Sequence, residues 1–219
     1  ISNEALPRAD EPYSAAWISF FKRPELAGWI WVLVSYKVAD SLSSAMVKPM
    51  MVDMGMTLSQ IGLQVSMISA VTTIAGAMLG GYWLQTIGRR NGLVFLGAFQ
   101  CFAIACYAIP AMGHGIVGLS ANGTAVAVNA LEHFAGGMAM AALLSAVMDR
   151  ARQAHAGVDF TLQVSLLAVF GGSFYLPAGL LAEAVGYADH FLIAAAVGVL
   201  MLYPAWRFTR GPNELAEVK

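Results

Sequence analysis

Charge is scarce in this sequence: only 11% of its 219 residues are Asp, Glu, Lys or Arg, against about 25% in an ordinary soluble domain. That is too little to clothe the chain in water. Because 58% of the residues are hydrophobic and the mean hydropathy is +0.67, lipid must be the solvent for much of it. Net basicity is also missing. A net charge of -1 argues against the clustered positive surface that nucleic-acid binding needs. Cysteine is limited to Cys101 and Cys106, both in one apolar run. On a helix they sit roughly 7.5 Å apart along the axis, too far to bridge comfortably, so both read as packing residues. No Walker-type phosphate loop is present, which leaves ATPase chemistry without a cradle. No second His or Cys stands at ligand spacing from His133, so neither a metal site nor a cofactor is expected.

What the sequence has in quantity is long apolar runs. Six stand out: Leu26–Val47, Leu58–Leu84, Gly92–Pro110, Ala125–Val147, Leu162–Val185 and Phe191–Phe208. About 20 helical residues cross a ~30 Å hydrocarbon core, and the runs lack the period-2 alternation of barrel strands. The expected fold is an all-α membrane protein of six transmembrane helices over residues 24–208. Residues 1–23 would be a cytoplasmic linker and 209–219 a cytoplasmic tail.

Lysine and arginine placement sets the expected orientation. Ten of the 12 basic residues fall in the leading stretch (Arg8, Lys22, Arg23), the second link (Arg89, Arg90), the fourth link (Arg150, Arg152) and the closing stretch (Arg207, Arg210, Lys219). Lys48 alone falls on the other side, and Lys37 lies within the first run. Both ends of the chain are therefore expected in the cytoplasm. Aromatic belts agree, with Trp29, Trp31, Trp83, Tyr203 and Trp206 near the basic ends and Tyr107 and Tyr187 near the others. Within the linker, Tyr13–Arg23 mixes aromatics with Lys22 and Arg23, the pattern of an amphipathic helix in the headgroup plane. The chain opens on Ile1 with a polar stretch containing two prolines, unlike a signal peptide. It reads as starting inside a longer product.

Polar groups inside lipid carry the functional information, because a charge near the bilayer centre costs about 2.5–3.5 kcal/mol on insertion scales. Lys37 and Asp40 lie three residues apart on one helical face. They read either as a self-neutralising pair or as a proton or substrate-charge site on a polar cavity. Glu132 and His133 are adjacent in the fourth run, and both are candidate proton carriers; the plainer reading is a helix–helix hydrogen bond. Gln163 offers an amide to the same cavity. Gly76 and Gly80, with the doublets at 136–137 and 171–172, suit close helix approach, and Gly171–Gly172 with Pro177 can weaken the fifth helix.

At the second basic link the sequence reads Gly81-Tyr-Trp-Leu-Gln85-Thr86-Ile87-Gly88-Arg89-Arg90. This resembles the loop signature of the major facilitator superfamily, G-x-x-x-D-R-x-G-R-R. It keeps Gly81, Gly88, Arg89 and Arg90, and departs from the signature at Gln85 and Thr86. Tyr36-Lys37-Val-Ala-Asp40 with Lys48-Pro49, and Glu132-His133-Phe-Ala-Gly136-Gly137 with Asp159-Phe-Thr-Leu-Gln163, resemble the muropeptide-permease and acetyl-CoA-transporter-like branch. Within that branch they are most similar to siderophore importers of the rhizobactin and pyochelin type. The resemblance implies one half of a twelve-helix fold, the C-terminal one, in a bacterial inner membrane, with the N-terminal six-helix half as its missing partner. It implies no enzyme but a secondary transporter importing a polar small molecule with protons. A siderophore is the first expectation for that solute and a muropeptide the alternative. A non-transporting sensor or interaction module is a further alternative.

Overall fold

The computed structural model describes residues 13–208. Most of the expected leading stretch and the closing tail, including Arg8, Arg210 and Lys219, lie outside the described residues. Within them a short helix, α1 (Tyr13–Phe21), precedes long ones: α2 (Leu26–Asp53), α3 (Leu58–Ile87), α4 (Arg89–Ala105), α5 (Ala121–Arg150), α6 (Ala156–Ser173) and α7 (Tyr175–Phe208). A single turn, Ala108–Ala111, follows α4. No strand occurs among the described residues.

The last 55 residues of apolar helix, Gln153–Arg207, cannot be one crossing, since they would span about 80 Å. Gly186 divides them. Its φ of 80° and ψ of 165° are natural for glycine and resisted by an L side chain. Before it the chain runs parallel to α2: a Cβ at Gly171 would meet Ser41, and one at Gly179 would meet Met46. After it the chain returns. The Tyr187 hydroxyl donates to Asp53 Oδ2 at 2.7 Å, His190 Nε2 reaches the Leu42 carbonyl at 3.0 Å, and Trp206 lies under the Arg90 guanidinium at the start of α4. The described residues therefore make six passes.

The weakening expected at Gly171–Gly172 and Pro177 appears as a break, and two other details differ from the sequence reading. The fifth run is interrupted between Ser173 and Tyr175, because Pro177 has no N–H to return to the Ser173 carbonyl and its ring crowds that group. α2 continues past Val47 to Asp53, so Lys48 stands on a helix and not in a link. Tyr107 is fully buried, stacked on Phe191 with ring centroids 4.9 Å apart, and belongs to no interfacial belt.

Two apolar clusters fill the bundle. One, toward the basic end, holds Trp29, Leu33, Leu93 and Leu143; the other holds Met50, Met51, Ile104 and Phe191. α3 packs on α5 backbone to backbone, with Gly76 against the Phe134 carbonyl, Gly80 against Met138 and Gly137 against the Thr73 carbonyl. Small residues let helices approach this closely where lipid gives no hydrophobic drive.

At the basic end, Asp159 is fully buried and accepts a bidentate pair from Arg152 at 2.8 and 2.7 Å. That carboxylate holds the Arg152 guanidinium above its ordinary value. Arg152 also donates to Ser19 Oγ at 2.8 Å, and Phe20 packs with Leu26 and Leu162, so α1 is docked on the bundle. Its Trp17, Ile18 and Phe21 point outward, as in a helix lying in the membrane interface.

Candidate functional site

A polar layer separates the two apolar clusters. It begins on α2, where Lys37 and Asp40 are paired through Nζ and Oδ2. The other Asp40 oxygen, Oδ1, accepts from Gln100 Nε2 on α4 at 2.9 Å. The same amide nitrogen donates to Glu132 Oε1 on α5 at 3.2 Å. An amide –NH2 carries two hydrogens, so one group can serve both carboxylates. Glu132 Oε2 lies 3.0 Å from His133 Nδ1. The result is a continuous chain, Lys37–Asp40–Gln100–Glu132–His133, across three helices.

Local sequence explains how these groups meet. Lys37 and Asp40 are one helical turn apart, so their pairing needs no tertiary contact. Gly136, one turn beyond Glu132, leaves room for the Gln100 amide, whose Nε2 would sit 3.0 Å from a Cβ at that position. A second branch stiffens the layer: Asn129 Nδ2 donates to Ser69 Oγ on α3 at 2.6 Å, and Tyr107 donates to Asn129 Oδ1 at 3.1 Å. Burying polar groups without partners costs more than pairing them returns, and these are paired.

The layer borders a cavity of about 520 Å³. α2 contributes Ser44 and Lys48 to its wall, α3 Ser66 and Ser69, α5 Asn129, Glu132 and His133, and α7 Tyr175. Beside it α3 opens with a π-helical turn, Ile61–Val65, in which Ser66 Oγ bonds the Ile61 carbonyl at 3.2 Å. Such turns are frequent at functional sites. Among the described residues no cluster of His, Cys, Asp and Glu could hold a metal ion.

Four of the five predicted site residues, Lys37, Asp40, Glu132 and His133, are therefore brought into one chain. Gln163 is not. It is buried at the basic end, where its Oε1 accepts from the Trp29 indole and its Nε2 donates to the Asp159 carbonyl at 3.0 Å and the Val147 carbonyl at 3.3 Å. Those bonds consume its polar groups in tying α2, α5 and α6 together. Gln100, absent from the sequence reading, takes the linking position. In the loop motif, Gly88 turns the chain at φ 76° between α3 and α4, Arg89 pairs with Asp149 at the end of α5, and Arg90 stands over Trp206. Gln85 and Thr86 carry no charge, and the carboxylate that meets this loop is Asp149 of α5. Nothing lies within 4 Å of a Cβ at Gly81.

These helices and the half-buried charged chain define a multi-pass all-α membrane protein. No family model matches the sequence. It is 21% identical over 196 residues to a Rickettsia conorii protein bearing the transporter name AmpG 4, covering 86% of this chain and 46% of that protein. The Rickettsia felis AmpG 4 protein is also 21% identical, over 184 residues. The anhydromuropeptide permease of Escherichia coli K12 is 26% identical over 194 residues, covering 87% of this chain and 38% of the permease. The chain thus spans less than half the length of the curated relatives it matches, none of which carries an enzyme's name.

Proposed function

We propose that this chain is the C-terminal six-helix half of a proton-coupled secondary transporter of the bacterial inner membrane, with both its ends in the cytoplasm and a muropeptide as its solute. The observation that carries the reading is the half-buried charged chain from Lys37 to His133, whose Glu132–His133 end lines a cavity in a membrane bundle. Ionisable groups at such depth mark substrate and proton pathways. In the two-half architecture a cavity of this kind lies where the halves meet, and coverage of under half of each relative fits one half. The major facilitator reading rests on these points and on Gly81, Gly88, Arg89 and Arg90. The relatives' names favour a muropeptide and give the siderophore expectation no support.

The test is uptake in proteoliposomes holding this chain with its six-helix partner half. Labelled anhydromuropeptide should accumulate under an imposed pH gradient and leak out when a protonophore is added. One charge crossing 100 mV supplies about 2.3 kcal/mol, roughly a 50-fold concentration ratio. Binding without accumulation is the signature of a sensor and would overturn the transporter reading.

Orientation has its own test. Val117 is exposed in the link before α5, and Gln153 is exposed in the link after it. Cysteine at 117 should react with an impermeant thiol reagent from outside intact cells, and cysteine at 153 only after lysis. The native thiols, Cys101 buried and Cys106 half-buried, give a low background. The opposite labelling pattern would reverse the topology.

A further inference from the structure

The cavity wall carries two groups that the chain from Lys37 to His133 leaves unexplained. The first is the far nitrogen of His133. Nδ1 faces two acceptors, the Asn129 carbonyl at 3.0 Å and Glu132 Oε2 at 3.0 Å. Two acceptors require the hydrogen to sit on Nδ1 in the neutral ring as well as in the cation. The nitrogen whose proton comes and goes is therefore Nε2. No described residue bonds to it, and the side chain, 36% exposed, forms part of the cavity wall. The second group is Lys48, exposed on the α2 side of the same cavity, with no carboxylate in ion-pair reach among the described residues.

Every charged or titratable neighbour of His133 can be placed. On its own helix there is Glu132. From α2 come Lys48, and Asp40 with Lys37 through Gln100. From the link after α4 comes Tyr107 through Asn129, and from α7 Tyr175; α3 offers only the hydroxyls of Ser66 and Ser69. With Lys37, Lys48, Asp40 and Glu132 charged, this set is balanced when the imidazole is neutral. Protonation at Nε2 leaves one positive charge in excess. One carboxylate from a solute restores the balance, whereas the same carboxylate beside a neutral imidazole would leave a negative excess. Water reaching the cavity screens these charges only in part, so the balanced states are favoured.

We propose that the cavity binds a solute bearing a carboxylate, taken by Lys48, and that the solute enters together with a proton on His133 Nε2. This rests on the transporter reading and narrows its solute to an acid. Hydroxyl and amide groups on Ser44, Ser66 and Asn129 suit the amide-rich remainder of such a molecule. Coupling of the two ligands is reciprocal: the proton tightens solute binding by the factor by which the solute tightens proton binding.

The experiment is equilibrium binding to membranes from cells producing the protein, using labelled anhydromuropeptide with free carboxylates and the same compound with its carboxylates converted to amides. The acid should bind about tenfold more tightly at about pH 5.5 than at about pH 8, and the amide equally at both. Lys48→Gln should weaken the acid to the level of the amide at every pH, and Lys48→Arg should retain acid binding. His133→Gln should bind the acid with no pH dependence. Retained binding of the amide shows that a variant is folded. Equal binding of acid and amide, or pH dependence surviving in His133→Gln, overturns this inference and leaves the transporter reading standing. Binding of neither compound at any pH overturns the muropeptide solute, and the inference with it.

Discussion

Asp40→Asn is expected to abolish gradient-driven accumulation of solute and to lower the yield of protein in the membrane. The carboxylate holds Lys37 on one oxygen and Gln100 on the other. An asparagine keeps the shape, loses the charge, and leaves the ammonium of Lys37 without its counter-ion. Breaking a buried pair from one side costs 3–5 kcal/mol; with both side chains 23% exposed, the lower end, about 3 kcal/mol, is the better expectation. Adding Lys37→Met removes the orphaned charge, so the double variant should recover its yield. It should still exchange solute across vesicle membranes, and it should not accumulate it against a fixed pH difference. Normal accumulation by the double variant would show that Asp40 has no part in coupling.

Gly76→Ala is expected to produce a large loss of stability from a single methyl group. The new Cβ would fall on the Phe134 carbonyl, with backbone on both sides of the clash. No rotamer change relieves it, so α3 and α5 must part. Overpacking in ordinary cores costs 1–3 kcal/mol, and here the upper end, about 3 kcal/mol, applies because neither partner is a flexible side chain. Gly172→Ala is the control, since nothing lies within 4 Å of a Cβ there. The midpoint of thermal aggregation in detergent should fall by several degrees for Gly76→Ala and stay unchanged for Gly172→Ala. Equal midpoints would mean that the α3–α5 contact is looser than the backbone geometry requires.

Much of the fold could be read from the sequence because a lipid-crossing helix advertises itself over about 20 consecutive residues, independently of its neighbours. Pairing within a helix was legible for the same reason: Lys37 and Asp40 lie one turn apart. Contacts between helices were not. Gln100 and Gln163 are both lone amides in apolar runs, and the sequence treats them alike. One bridges carboxylates 60 and 32 residues away, while the other is consumed by an indole 134 residues away. Only the packing of α2, α4, α5 and α6 decides which amide joins the charged chain. Asp149 is a similar case: nothing local marks it as the partner of Arg89. The break before Pro177 had a local cause and was visible in advance, whereas the extension of α2 beyond Val47 depends on tertiary packing of Met50 and Met51.

The glycine contact between α3 and α5 has a mechanical consequence. Where two helices touch through their backbones, no side chain is left between them to yield, so they swing as one stiff beam. Residues 187–208 form a second beam with α2, seated through Gly198 on Ala39 and through His190 on the Leu42 carbonyl. At mid-depth the Gln100 amide spans the two beams, holding Asp40 on one and Glu132 on the other. Any relative displacement of the beams would strain those two hydrogen bonds. The amide thus acts as a shear pin between the two beams.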